Sequence, residues 1–269
     1  PTGPIRLADH QRRIINEALF RNEKGRVKYS TIIFSAPKKS GKSAIASGTA
    51  LYTASKNPYA QVYCLANDGK QSEDRLYLPV SFCLKQHHQR GLALKGSRVN
   101  EIEAWLPNQS HIQAINCDAS GEAGSEPTAV YISEIWGYDT PRKRKLFTEM
   151  TIPPTLWGYA YRWIETYAGY VGVSDLLEDL YRMGVKEGTP HTDFLDLVDD
   201  EGVPVVWVNE KAHMFVYWDH VPRMIWQNED YYKEEAHMLE PAEFQRMHLN
   251  QWASPLDVYI RAEWWNACQ

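Results

Sequence analysis

The stretch Ala36-Pro37-Lys38-Lys39-Ser40-Gly41-Lys42-Ser43 constrains this chain more than any other segment. It follows the phosphate-loop pattern at Gly41, Lys42 and Ser43, with Ala36 where that pattern opens on glycine. A loop of this kind belongs between the end of a strand and the start of a helix. There, backbone N–H groups and the positive helix end converge on phosphate oxygens. The flanks agree: YSTIIFS (29–35) is a short β-rich run, and SAIASGTALYTAS reads as a helix rich in small residues. The backbone of Ala36, Pro37, Lys38, Lys39, Ser40, Gly41, Lys42, Ser43 and Ala44 is therefore expected to cradle the phosphates of ATP. Lys42 would reach the β and γ phosphates, and the Ser43 hydroxyl would coordinate Mg²⁺.

An enzyme built on this loop also needs a carboxylate at the end of a neighbouring strand, to order Mg²⁺ and the attacking water. AVYIS (129–133) runs straight into Glu134, which is placed to polarise a water for attack on the γ-phosphate. Ser133 stands where this motif usually carries Asp. Its hydroxyl could hold a metal-bound water but brings no charge. The expected metal contacts are thus Ser43 directly, with Ser133 and Glu134 acting through water.

The remaining chain alternates β and α signals. Residues 9–22 place apolar side chains at helical spacing with Asp9 as cap, and QVYCLAN (61–67) reads as a strand followed by a helix from Asp68 to His88. HIQAIN (111–116) is a further strand, CDASGEAGSEPT (117–128) a polar loop, and YRWIETYA (161–168) another strand. A helix is expected from Ser174 to Met183, and PVVWVN (204–209) as a last strand. This alternation predicts an α/β fold, a central mostly parallel sheet with helices on both faces. The tail from Pro222 is acidic, aromatic and helical in pattern, which divides the chain into a core (1–208) and a C-terminal lid or linker (209–269).

Composition removes several classes. No run of about 18 apolar residues occurs, so no membrane span is expected. Cys64, Cys83, Cys117 and Cys268 form no CxxC pair, against a zinc site or a disulfide framework. His87-His88, the only adjacent histidines, point about 100° apart on a helix and read as surface. The ten tryptophans are not interleaved with basic residues and read as packing. A net charge of −5 predicts that any DNA contact is local or depends on other subunits.

Several segments together resemble the large terminase family of tailed bacteriophages. HQRRII resembles an adenine-recognising glutamine motif, which implies base contact by Gln11. QVYCLANDGKQSEDRLY is similar to the segment after the family's second strand, and GSEPTAVYISEIWGY to its acidic-motif region with Glu134 at the catalytic position. RWIETYAG resembles the coupling motif, which maps γ-phosphate sensing onto Thr166, with Glu165 and Tyr167 beside it. VSDLLEDLYRMG and PAEFQRMHLNQW resemble the helix after the coupling strand and the segment leaving the ATPase domain.

The resemblance covers nearly the whole chain. It implies a RecA-like P-loop NTPase of the ASCE type, a Mg²⁺-dependent ATP hydrolase that assembles as a ring, a pentamer, and pumps double-stranded DNA into a procapsid. The implied partners are the portal protein and the small terminase subunit, and the implied setting is the host cytoplasm, outside the mature virion. Lys38 stands where the family usually has Arg, giving charge without a bidentate fork. The family's nuclease domain has no room after Trp265, so cutting of DNA is not expected. Arg142 and Arg144 in PRKRK (141–145) are candidates for an arginine acting on a neighbouring site; the same cluster could touch DNA phosphates or be a solvated loop. Arg75, Arg98 and Arg162 are weaker candidates. A superfamily-2-type helicase and a nucleotide-binding module with little hydrolysis are the competing readings, the first disfavoured and the second favoured by Ser133.

Overall fold

The computed structural model describes residues 6–66, 72–115, 126–150, 152 and 154–255; most of the expected 117–128 loop, with Cys117, Cys268, Trp264 and Trp265, lies outside them. The strands are β1 (Thr31–Ser35), β2 (Gln61–Leu65), β3 (Arg98–Val99), β4 (Glu103–Trp105), β5 (His111–Ile115), β6 (Ala129–Ser133), β7 (Tyr161–Thr166), β8 (Thr189–Pro190), β9 (Val206–Asn209) and β10 (Met214–Trp218). They form one sheet in the order β3-β4-β5-β2-β6-β7-β1-β10-β9-β8. From β5 to β10 in that order every pairing is parallel, while β3, β4, β9 and β8 add antiparallel edges. The expected α/β architecture is present.

Burial explains why the central strands read as unbroken apolar runs: a parallel sheet covered on both faces leaves no polar side. Ile32, Phe34, Val62, Tyr131 and Trp163 face one core, shared with α1 (Asp9–Ala18) and α2 (Lys42–Lys56). Ile33, Leu65, Val130, Ile132 and Ile164 face the other, shared with Leu146 and Leu177. Along α2, Ala46, Ala50 and Ala54 are fully buried, and their small side chains let the helix lie close to the sheet. Behind it, Thr53, Tyr131 and Tyr161 join hydroxyls in a buried network, at 2.6 Å from Tyr161 to each of Thr53 and Tyr131.

Four local expectations are corrected. Helix α1 is capped at Ala8 rather than Asp9: the Gln11 side chain accepts from the Ala8 N–H at 3.0 Å, while Asp9 pairs with Arg12 in the first turn. The helix expected from Asp68 to His88 is, where described, a π-helical segment (Ser72–Tyr77) leading into α3 (Leu78–Gln89). Pro79 at its start lacks the N–H that a continuous ladder needs, and the Ser47 hydroxyl donates to the Leu76 carbonyl at 2.9 Å. The basic stretch 141–145, for which a solvated loop is one reading of the sequence, is the first half of a helix, α4 (Pro141–Glu149), started by Thr140 and Pro141, a pairing suited to a helix N-terminus. Finally, the sheet runs past residue 208, because β10 turns back from β9 and lies parallel beside β1.

After β7 come α5 (Asp175–Tyr181) and a π-helical turn, Arg182–Lys186. Gly188 follows so closely that an added Cβ would sit 2.1 Å from the Gly184 carbonyl oxygen. Gly188→Ala is expected to destabilise the fold by about 1–3 kcal/mol. Thermal unfolding checks this, and an unchanged Tm would contradict the packing.

The tail forms α6 (Glu229–Met238) and α7 (Pro241–His248). It is docked on the sheet's C-terminal edge. Asn250 Oδ1 accepts from the Ser35 hydroxyl at 3.0 Å and from the Ala168 N–H at 2.7 Å, and its Nδ2 donates to the Asp219 carbonyl at 2.9 Å. One side chain thus joins the ends of β1, β7 and β10. No helix among the described residues is long and apolar enough to cross a membrane.

Candidate active site

The strand order brings the site together. The loop from Ala36 to Gly41 leaves the C-terminal end of β1, and Glu134 follows the C-terminal end of β6. Strand β7 lies between them, so its last residues face both. Ligands of open α/β sheets bind at this carboxyl edge.

Gly41 takes φ +89° as the residue before α2, a left-handed conformation that glycine adopts without Cβ strain. Lys39 also has positive φ, at 70°. The loop is held from outside by the tail. Gln227 Nε2 donates to the Lys38 carbonyl and Trp226 Nε1 to the Lys39 carbonyl, each at 2.8 Å, while the Lys38 N–H donates to the Met247 carbonyl at 2.7 Å. Gln11 Nε2 donates to the Ser40 carbonyl at 2.8 Å, so the expected base-reading glutamine also braces the loop. Lys38, Lys39, Gly41, Lys42, Ser43, Ala44 and Tyr167 line a cleft of about 220 Å³. Ala36, Pro37 and Ser40 are buried behind it.

Lys42 is buried. Its Nζ donates to the Ala36 carbonyl at 2.8 Å and lies 3.7 Å from the centre of the Tyr167 ring. Burial pulls its pKa down to about 8, against the opposing pull of Glu165 and Glu134. Glu134 is buried as well and adopts the left-handed region at φ 57°, a backbone state uncommon for non-glycine residues. Arg75 Nη1 donates to its Oε1 at 3.0 Å and Trp136 Nε1 to its Oε2 at 2.5 Å. Burial and the nearby Glu165 push the Glu134 pKa up to about 7.

Glu165, named in the sequence only as a neighbour of Thr166, is the third member. Its register partner across β6 is Ser133. The hydroxyls of Ser133 and Ser43 both donate to its Oε1, the latter at 3.1 Å, while its buried Oε2 has no hydrogen-bond partner. Thr166 ends the same strand, and its hydroxyl donates to the Tyr167 carbonyl at 2.8 Å. The strand end therefore meets Lys42 through the Tyr167 ring.

Arg142 and Arg144 lie on α4, outside the residues lining the cleft, and Arg144 pairs with Asp175 at 2.9 Å. Arg75, a weak candidate for action between subunits, is instead paired with Glu134 within the chain. Arg162 is structural, donating to the Met150 carbonyl and lying over Phe147. His88 is engaged with the Lys95 carbonyl. Among the described residues no group of three or more His, Cys, Asp and Glu could hold a metal by itself.

The fold is similar to that of solved phage large terminases. The large terminase of bacteriophage HK97 aligns with a TM-score of 0.64 at 12% identity, covering 100% of this chain and 55% of that one. The chain thus spans about half the length of that protein. The large terminase ATPase domain of Thermus phage P74-26 aligns with a TM-score of 0.60 at 12% identity, over 93% of this chain and 100% of that domain. No protein-family model matches the sequence, and no curated protein matches it.

Proposed function

We propose that this chain is the ATPase motor domain of a phage large terminase, hydrolysing ATP to drive double-stranded DNA into a procapsid. The observation that carries the reading is the convergence of Lys42, Glu134 and Glu165 at one edge of the sheet, below a loop shaped for phosphates. The match in fold to large terminase ATPase domains supports it independently.

The chemistry follows from the placement. The loop N–H groups and the N-terminus of α2 hold the phosphates, and Lys42 offsets the charge that grows on the leaving oxygen. Glu134 accepts a proton from water as the water oxygen bonds to the γ-phosphorus and the bond to the β-phosphate oxygen breaks. ADP and phosphate are the products. Arg75 and Trp136 fix the two Glu134 oxygens, so orientation of the base is set before substrate arrives. Mg²⁺, when bound with the nucleotide, neutralises phosphate charge. The hydroxyl of Ser43 beside an unpartnered buried carboxylate oxygen fits such a hard cation, and Ser43 would hold it with support from Ser133 and Glu134. Gln11, buried with its amide committed to the Ala8 N–H, the Ser40 carbonyl and the Met224 sulfur, braces the phosphate loop, and Thr166 near the cleft at the end of β7 is the proposed γ-phosphate sensor.

Free-enzyme ionisations govern kcat/KM. Glu134 must be charged to accept a proton, and Lys42 must be charged to hold phosphate. With one pKa raised to about 7 and the other lowered to about 8, kcat/KM for ATP should trace a narrow bell. The two limbs belong to the coupled pair. A profile flat through neutral pH would contradict these assignments.

The motor reading also requires a ring on the portal, with the small terminase subunit as a further partner, in the host cytoplasm. Arg142 and Arg144 are proposed to serve a neighbouring subunit's site from α4. Turnover per chain that rises with protein concentration and with double-stranded DNA, and loses that rise in Arg142→Ala or Arg144→Ala, is the expected result. Turnover flat in concentration and unchanged in both variants would remove the intersubunit role.

A further inference from the structure

We propose that Glu165 supplies the negative charge that holds the nucleotide's magnesium ion, a task that position 133 cannot perform with serine. The inference rests on the ATPase reading above and names the metal-positioning residue of that same site.

Three observations carry it. First, Glu165 is fully buried near the end of β7, where the other buried members are Tyr161, Trp163, Ile164 and Thr166, none of them charged, and a carboxylate there is costly unless something cationic answers it. Second, both hydroxyls that border it, Ser43 from the phosphate loop and Ser133 from β6, donate to Oε1 alone. Two donors on one oxygen fix the carboxylate plane. Third, Oε2 is buried and unpartnered. A buried carboxylate oxygen left without a donor calls for a further partner, a water or a cation.

The geometry also explains Ser133. In register with Glu165 across the β6–β7 pair, an Asp at 133 would set a second carboxylate against the first. Like charges at such separation cannot both stay ionised cheaply. Serine instead donates a hydrogen bond and leaves the charge on the adjacent strand. The negative charge of the site has moved sideways by one strand, to the strand nearest the phosphate loop.

The other charged groups facing the site, Lys42, Glu134 and Arg75, allow a simpler role for Glu165 as a counter-ion of Lys42. Metal binding separates the two. The test measures Mn²⁺ binding to the protein·ADP complex by electron paramagnetic resonance, with ADP affinity in EDTA measured alongside by calorimetry. Glu165→Gln is isosteric and should weaken Mn²⁺ binding about 10–100-fold, the usual cost of removing a metal-site supporting group. ADP affinity in EDTA should not fall below wild type, since the phosphate contacts are untouched and one negative charge beside Lys42 is removed. Retained ADP binding also reports an intact fold.

Returning the charge to the other strand, as Ser133→Asp combined with Glu165→Gln, should recover most of the Mn²⁺ affinity. Equal Mn²⁺ affinity in Glu165→Gln and wild type overturns the proposal, as does a loss of ADP affinity in EDTA with Mn²⁺ binding preserved. If the single variant does not fold, failure of the folded double variant to bind Mn²⁺ overturns it. Should the wild-type chain bind no ADP under any condition, the ATPase reading itself fails, a result distinct from both.

Discussion

Glu134→Gln should lower ATP turnover about 10²–10⁴-fold, the range expected for loss of a positioned general base, and leave nucleotide affinity almost unchanged. The amide keeps the shape of the side chain but has a single acceptor oxygen, so it can accept from Arg75 or from Trp136 and not from both. What it loses is the capacity to take a proton from water. A second consequence has the opposite sign. The folded-state pKa of Glu134 lies near 7, above its ordinary 4.5, so the folded protein loses stability as pH rises from about 4.5 to about 7 and stays depressed above. Glutamine has no such penalty. The Tm of the variant should therefore rise relative to wild type as pH goes from about 4.5 to about 7, and the difference should level off above that. Phosphate release and thermal unfolding measured on the same preparations check both. Normal turnover would remove Glu134 from the mechanism, and a Tm difference that does not vary with pH would remove the buried-charge argument.

Lys42→Ala should reduce kcat/KM for ATP by about 10²–10³ or more, the scale seen when a preorganised electrostatic contact to the transition state is removed. Unlike the Glu134 change, it should weaken ADP binding too, because the ammonium meets phosphate in ground state and transition state alike. Removal of the cation also leaves Glu134 and Glu165 facing each other without their shared positive neighbour, which turns the cleft against anions. Lys42→Arg should not rescue. The ammonium sits 2.8 Å from the Ala36 carbonyl and 3.7 Å from the centre of the Tyr167 ring, and a longer, planar guanidinium would place its charge differently against the phosphates. Calorimetric ADP titration and steady-state kinetics read the two effects separately. Binding and turnover both within a few-fold of wild type would contradict the assignment.

Much of this site was legible before any coordinates. The phosphate loop announces itself because few residues satisfy its geometry: Gly41 at positive φ, a lysine next, a hydroxyl after it. Glu134 is equally readable as an acid that ends a wholly apolar run. Glu165 was harder. Its charge is visible in RWIETYAG, yet its role depends on β7 lying between β1 and β6, and strand order is not written in buried parallel strands that all read as apolar runs. Only the register that sets Glu165 beside Ser133 turns an acidic neighbour of Thr166 into a member of the site. The same limit hid β10, whose sequence MFVYW gives no hint that it returns to pair with β1. Asn250 and Gln227 were invisible for a related reason, since single polar residues in a tail gain meaning from what they touch. By contrast, the helical start at Thr140-Pro141 was there to be read and was masked by the run of charges after it.

The central claim, hydrolysis of ATP by this chain, is tested most directly by steady-state phosphate release with Mg²⁺ across protein concentration, with and without double-stranded DNA. The account predicts release that saturates with ATP and increases with DNA. Stoichiometric ATP binding with no phosphate released at any concentration, with DNA or without, would contradict it and make the chain a nucleotide-binding module.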